Sequence, residues 1–395
     1  MQSSVSASIF IQTKDNMGHK ELSFASQAAP ALPGDSINHV DTPALLVDLD
    51  AFEDNLARVH TRVLQAGLKV RSHGKAHKSP AIAHRQLEAG AIGICCQKVS
   101  EAEIFVQAGI QDILITNQIV GLRKVARVAA LAERAKLAIC VDHPLQVEQI
   151  GDAASKQGSH LDVLIEVDIG HQRCGISNAH QAIDLARTIE QYSPHLRFAG
   201  IHAFRGSAQH MRLPQERAAA VASAVEKVRD IIRELAASDF PCNTVTGGGT
   251  GTYMLEAASS LYTEVQPGSY VLMDTDYAAN TPEADSPPLR HALFGLCTVI
   301  SVQAGHAVLD GGLKAFAVDH GLPRLQFPGW SVQTLSDEHT VIVPEAGAAP
   351  LHVGDKVRLI PGHCDPTVNL HDWLIAYRGE TVHEAWPVSA RGALF

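Results

Sequence analysis

Three short segments of this chain hold residues whose types and spacing suit chemistry. Near the C-terminus, Pro361-Gly362-His363-Cys364-Asp365-Pro366 sets an imidazole and a carboxylate two positions apart between turn residues. In an extended segment, residues i and i+2 project to one face. His363 and Asp365 could then present a nitrogen and an oxygen to one divalent cation such as Zn²⁺, Mn²⁺ or Mg²⁺. The same His-x-Asp reads equally as a turn in which Asp365 caps the following backbone. Toward the other end lies Arg71-Ser72-His73-Gly74-Lys75-Ala76-His77-Lys78. A desolvated lysine there forms a Schiff base with an aldehyde, although a basic cluster taken alone is more often a solvated loop. The third segment is Gly247-Gly248-Gly249-Thr250-Gly251. Consecutive glycines let backbone N–H groups approach an oxyanion, with the Thr250 hydroxyl beside them; a flexible loop is the alternative.

The elements that must position these segments are legible as alternation. From Leu68 onward, the apolar runs Lys69–Ser72, Ile92–Cys96, Asp112–Thr116, Lys136–Val141, Asp162–Asp168, Arg197–Phe204, Thr244–Gly247 and Thr263–Gln266 read as strands. Between them, Lys98–Ala108, Leu122–Glu133, Pro144–Gln157 and Pro214–Ser238 read as helices, the last with apolar residues at helical spacing. This alternation predicts a (β/α)₈ barrel, with an open doubly wound sheet as the competitor. The count of strands and the missing dinucleotide fingerprint favour the barrel. Barrels place chemistry at the C-terminal ends of their strands and commonly bind phosphate after the seventh and eighth. Lys75 follows the first strand, the glycine run follows the seventh, and Gly268-Ser269 follows the eighth. Pyridoxal 5'-phosphate carries both an aldehyde and a phosphate, so one ligand would explain the lysine and the glycines together. After Tyr277, a stretch rich in Asn, Pro, Asp and Ser reads as a linker, and short alternating runs then predict a mostly β domain. The division expected is an N-terminal arm over 1–39, mobile at its start, a barrel over 40–277, and a C-terminal β domain over 278–395 that carries His363 and Asp365. The strand Ala44–Asp50 fits either unit.

Composition narrows the function classes. The chain has 395 residues, 46% hydrophobic and 19% charged, with 42 acids against 32 bases for a net charge of −10. The acidic excess argues against a nucleic-acid surface, and no stretch reaches bilayer-spanning length. The seven cysteines are odd in number, lie mostly in apolar runs and form no CxxC pair. Buried free thiols in the cytoplasm are expected. No secretory signal pattern opens the chain.

The resemblance to a known family rests on many ordered motifs. They are Arg71–Lys78, Cys95–Glu103, Arg173-Cys174-Gly175, Gly247–Gly251, Met273-Asp274-Thr275-Asp276-Tyr277, Gly312-Leu313-Lys314, Asp337-Glu338-His339, Gly362–Thr367, Asn369–Trp373 and Pro387–Gly392. From about Pro33 to Gly392 the chain resembles the metal-activated, fold-type-III pyridoxal phosphate enzymes: D-threonine aldolase and 3-hydroxyaspartate aldolase, with D-serine dehydratase more distant. The resemblance implies an alanine-racemase-like barrel with a C-terminal β domain, assembled as a homodimer. It implies Lys75 as the Schiff-base lysine, with Gln97, Arg173, Phe204, Gly248, Gly249, Thr250, Gly268, Ser269 and Tyr277 around the cofactor. It implies His210 as acid/base, and His363 and Asp365 as ligands of Mn²⁺, Mg²⁺, Co²⁺ or Zn²⁺. The dehydratase branch resembles this pattern but has Cys at the second ligand position, so Asp365 favours the aldolases.

The activity so implied is retro-aldol cleavage of a β-hydroxy-D-α-amino acid, D-threonine to glycine and acetaldehyde or 3-hydroxyaspartate to glycine and glyoxylate. Dehydration of D-serine or 3-hydroxyaspartate is the rival, and a non-catalytic pyridoxal phosphate-binding protein is a further one. One departure stands out: the aldolases carry Tyr where this chain has Phe204, followed here by Arg205. Phe204 lacks a phenolic donor. Arg205 would suit the second carboxylate of 3-hydroxyaspartate by a bidentate contact, or would point into solvent. With Pro361–Asp365 and Trp386–Ser389, which resemble the 3-hydroxyaspartate aldolases more, it leans the expected substrate toward 3-hydroxyaspartate.

Overall fold

The computed structural model describes residues 28–283 and 288–395. The start of the expected arm and part of the expected linker lie outside these residues. Eight parallel strands close a barrel in chain order: Lys69–His73, Gly93–Cys96, Asp112–Gln118, Lys136–Val141, Leu161–Glu166, Leu196–His202, Thr244–Gly247 and Glu264–Val265. Closure occurs where Lys69 and Val70 pair with Glu264 and Val265.

Period-two alternation divides the strand residues between two environments. Cys95, Leu114, Cys140 and Leu164 fill the barrel interior with Ala138 and Ala199. Their neighbours Ile94, Cys96, Ile113, Ile115 and Ile139 pack outward in the larger core shared with the helices. The cysteines in apolar runs are therefore core fillers. All seven are free, and burial pushes the Cys95, Cys96 and Cys140 thiols well up, which keeps them protonated and inert.

The strand Ala44–Asp48 joins the C-terminal unit, antiparallel to Leu293–Gln303 and parallel to Trp373–Arg378. It is buried on both faces: Leu45 and Val47 enter the barrel-side core, while Ala44 and Leu46 pack with Phe294, Leu296 and Ile375. Asp48 ends the strand by capping the helix Leu49–Gln65, its carboxylate accepting from Ala51 N at 3.1 Å. Leu49 and Asp50 are thus helical, not strand as the sequence suggests. The sheet continues with Thr381–Pro387 on one side and with His306–Leu309, Thr340–Pro344 and Trp330–Leu335 on the other. Lys356–Ile360 pairs with Leu293–Gln303, and leads into the His363 segment. Two bonds dock that segment on the end of the barrel chain: Cys364 N donates to Asp274 Oδ2 at 2.8 Å, and Thr275 N to the Pro361 carbonyl at 3.0 Å. Among the described residues, no helix is long and apolar enough to cross a membrane.

Candidate active site

Lys75 occupies a single 3₁₀ turn, Gly74–Ala76, immediately after the first barrel strand. The turn packs so closely on Phe105 that a Cβ on Gly74 would lie 2.8 Å from the ring, so glycine is required before the lysine. Lys75 Nζ donates to Asp365 Oδ2 at 2.7 Å, and Ser269 Oγ donates to Asp365 Oδ1 at 2.9 Å. The Asp365 charge raises the Lys75 pKa above its ordinary value against the effect of burial. Burial works to raise Asp365, but Lys75, His363 and the two hydrogen bonds outweigh it and hold the carboxyl well below the carboxylate range. A residue from the far end of the chain thus faces the lysine.

The i, i+2 geometry expected of His363 and Asp365 is not what the chain adopts. His363 is extended (φ −144°, ψ 122°), but Asp365 lies in the first turn of the short helix Cys364–Val368. His363 Nδ1 pairs with Asp319 Oδ2 at 2.7 Å. Among the described residues, Asp319, His320 and His363 bring ligand atoms within 4.8 Å of one another, as do His210, Asp276 and His320; Asp365 belongs to neither group.

The glycine run has the features of an anion cradle. Gly248 takes φ +73°, and a Cβ on Gly249 would meet Gln209 Oε1 at 2.5 Å. Thr250 Oγ1 is buried with no hydrogen-bond partner among the described residues, a cost that a bound acceptor would relieve. Thr250 and Tyr277 line one pocket. Tyr277 also hydrogen-bonds Ser269, and burial followed by the Asp365 charge pushes its pKa well up, so it remains a phenol donor. Gly268 leaves room beside the lysine turn, where a Cβ would sit 3.1 Å from the His73 carbonyl. Gln97 is partly buried, and its Nε2 reaches His73 Nε2 and Thr116 Oγ1, each at 3.2 Å.

His210 ends a 3₁₀ turn after the sixth strand, its ring centroid 5.2 Å from that of Tyr277. Its Nδ1 is bonded to Asp276 Oδ2, and Arg212 bonds Oδ1 of the same carboxylate. Burial holds the His210 imidazole below its ordinary pKa against the pull of Asp276. A neutral ring facing a carboxylate must give Nδ1–H to it, which leaves Nε2 as a proton acceptor. Burial would raise Asp276, yet Arg212, His320 and His210 together bring it down to about 2. His320 shares this carboxylate, with Nδ1 2.9 Å from Asp276 Oδ2, and its ring centroid is 4.4 Å from that of His363. Sequence reasoning gave no role to Asp276, Asp319 or His320. Only Asp276 lay in a flagged motif; Asp319 and His320 sit in a polar loop with no signal of their own.

Arg173 and Arg205 have different surroundings. The Arg173 guanidinium lies over the Phe204 ring at 5.9 Å and 3.9 Å from Glu166, and its charge is felt at Lys75. Arg205 Nη1 donates to the Ala220 carbonyl in the helix Pro214–Ala237 at 2.9 Å, and the guanidinium lies against Gly170.

These residues fit pyridoxal phosphate: an amine, a glycine loop, and an unpartnered buried hydroxyl for the phosphate. They also fit a cation, since Asp365 Oδ2, which accepts from Lys75, keeps a second lone pair and His363 keeps Nε2. Residues 47–276 match the family model "Alanine racemase, N-terminal domain", and residues 292–377 match "Putative serine dehydratase domain". A D-threonine aldolase from Arthrobacter sp. is 44% identical over 92% of this chain and 96% of its own. A 3-hydroxy-D-aspartate aldolase from Paracoccus denitrificans (strain Pd 1222) is 41% identical over 92% and 95%. Dehydratases match at lower identity. The crystal structure of D-threonine aldolase from Filomicrobium marinum superposes with a TM-score of 0.91 at 44% identity, covering 93% of this chain and all of that one. The chain belongs to the family of D-threonine and 3-hydroxy-D-aspartate aldolases, built on the alanine racemase barrel.

Proposed function

We propose that the protein is a pyridoxal phosphate- and divalent-cation-dependent lyase that splits the Cα–Cβ bond of a β-hydroxy-D-α-amino acid into glycine and an aldehyde. The observation that carries this reading is the Lys75–Asp365 contact, which joins an attachment lysine at a barrel strand end to the His363/Asp365 segment of the β unit. When bound, pyridoxal phosphate takes up the electron pair left on Cα, and a cation lowers the pKa of the β-hydroxyl. Lys75 Nζ is the attachment atom. Gly248, Gly249, Thr250, Gly268, Ser269 and Tyr277 hold the phosphate end, while Gln97, Arg173 and Phe204 surround the ring. His363 and Asp365 hold the cation. His210 Nε2 takes the hydroxyl proton, and Asp276 stabilises the imidazolium that results. With Asp rather than Cys at the second ligand position, C–C cleavage is favoured over dehydration.

D-Threonine is the first candidate substrate, because Arg205 Nη1, the group expected to meet a second substrate carboxylate, donates to the Ala220 carbonyl. A substrate with a second carboxylate is favoured by one observation: among the described residues, Arg173 makes its ion pair with Glu166 at a long 3.9 Å. We assign the reaction to a cytoplasmic homodimer, a reading that sedimentation of the purified holoenzyme tests. Product analysis tests the chemistry: D-threonine should yield glycine, and ammonia as the main product would replace the aldolase by a dehydratase.

A further inference from the structure

The loop 317–321 approaches His363 from the β unit, and two features hold it there. Ala317 N donates to Thr367 Oγ1 at 3.2 Å, and Thr367 Oγ1 in turn donates to the His363 carbonyl at 2.7 Å. Gly362 faces the Gly321 carbonyl so closely that a Cβ would collide with it. Loop and ligand segment are therefore clasped on both sides of the histidine. At the centre of the clasp, Asp319 Oδ2 lies 2.7 Å from His363 Nδ1.

We propose that Asp319 is the positioning residue that makes His363 a cation ligand, by holding Nδ1–H and so presenting Nε2. This inference rests on the assignment of His363 and Asp365 as the cation site. The physical reason is general. A ligating imidazole has one nitrogen for the metal, and a carboxylate on the other fixes the tautomer, stops ring rotation and makes the ligating nitrogen more basic. Asp319 is half-exposed, so it is not a packing residue, and its removal leaves the core untouched. The competing arrangement places a cation among Asp319, His320 and His363, whose ligand atoms also lie within reach of one another. There Asp319 would bind the metal with its own carboxylate oxygen, and His363 would ligate through the Nδ1 that Asp319 now faces.

The test is Mn²⁺ binding to chelator-treated, pyridoxal phosphate-loaded full-length protein, read as free Mn²⁺ by electron paramagnetic resonance. Asp319→Ala should weaken Mn²⁺ roughly 10–100-fold, with Asp319→Asn in between because its amide oxygen still accepts from Nδ1. Melting temperature and cofactor absorbance should not change, and His320→Ala should leave affinity near that of the wild type. Unchanged affinity in both Asp319 variants overturns the inference. So does a loss in His320→Ala as large as in His363→Ala with Asp365→Ala silent, which would place the cation in the competing cluster. If His363→Ala itself has no effect, the cation site fails before the inference is reached.

Discussion

Replacing Asp276 with Asn removes the carboxylate that orients His210 while changing its shape little. In the native site, Oδ1 accepts from Arg212, and Oδ2 accepts from both His210 and His320. An amide has one acceptor end and one donor end. The Arg212 guanidinium can only donate, so it claims the carbonyl and turns the NH₂ toward the imidazoles. His210 must then accept at Nδ1, which moves its proton to Nε2 and leaves no base. Losing a positioned general base costs about 10²–10⁴ in rate, or roughly 3–5 kcal/mol of barrier. The assay is kcat for glycine release at saturating D-threonine, with cofactor absorbance and melting temperature measured on the same samples. His320→Gln is the comparison; it keeps the His210–Asp276 bond and should retain most activity. An Asn variant with full cofactor loading and wild-type kcat would falsify the assignment of His210 as an Asp276-held base.

Other predictions concern the cofactor cradle. Thr250→Val removes the unpartnered hydroxyl, so the cofactor-free protein should gain about 1–3 kcal/mol in stability while pyridoxal phosphate binds more weakly; denaturant melts and cofactor titration check both signs. Glu256 lies under the loop, with Oε1 accepting from Thr252 Oγ1 at 2.8 Å, and burial raises its pKa from 4.5 to about 8. The raised folded-state value means that its contribution to stability is full below the ordinary value and is lost as pH rises through about 8. Glu256→Gln should therefore gain on the wild type by about 1.4 kcal/mol per pH unit across that window. Parallel stability curves from acid to alkaline pH would contradict a buried, protonated Glu256.

How much of this was legible in the sequence depended on periodicity. The barrel strands showed as short apolar runs between helical patterns, and the C-terminal sheet showed by alternation only where one face of a strand is wet. Ala44–Asp48 lacked that signal because both its faces are buried, so the sequence could not assign it to a unit. Trp330–Leu335 escaped notice because neither of its faces is fully buried. At the site, Lys75, Thr250 and His363 stood out by local context. Asp276, Asp319 and His320 are ordinary polar residues until folding brings His210 to Asp276 across 66 positions and His363 to Asp319 across 44. His363 and Asp365 drew notice through a spacing rule for extended chain, whereas the fold places Asp365 in a helical turn beside Lys75. Arg205 drew notice by its charge beside Phe204, and the helix carbonyl that accepts from its Nη1 has no sequence signature.

The central claim is cation-assisted C–C cleavage at Lys75. Its most direct test is simultaneous measurement of glycine, aldehyde and ammonia from D-threonine and from 3-hydroxy-D-aspartate, before and after chelation and again after Mn²⁺ is restored. The account predicts equimolar glycine and aldehyde that vanish on chelation and return with the metal, with ammonia negligible. Ammonia in place of glycine, or cleavage indifferent to chelation, would contradict it.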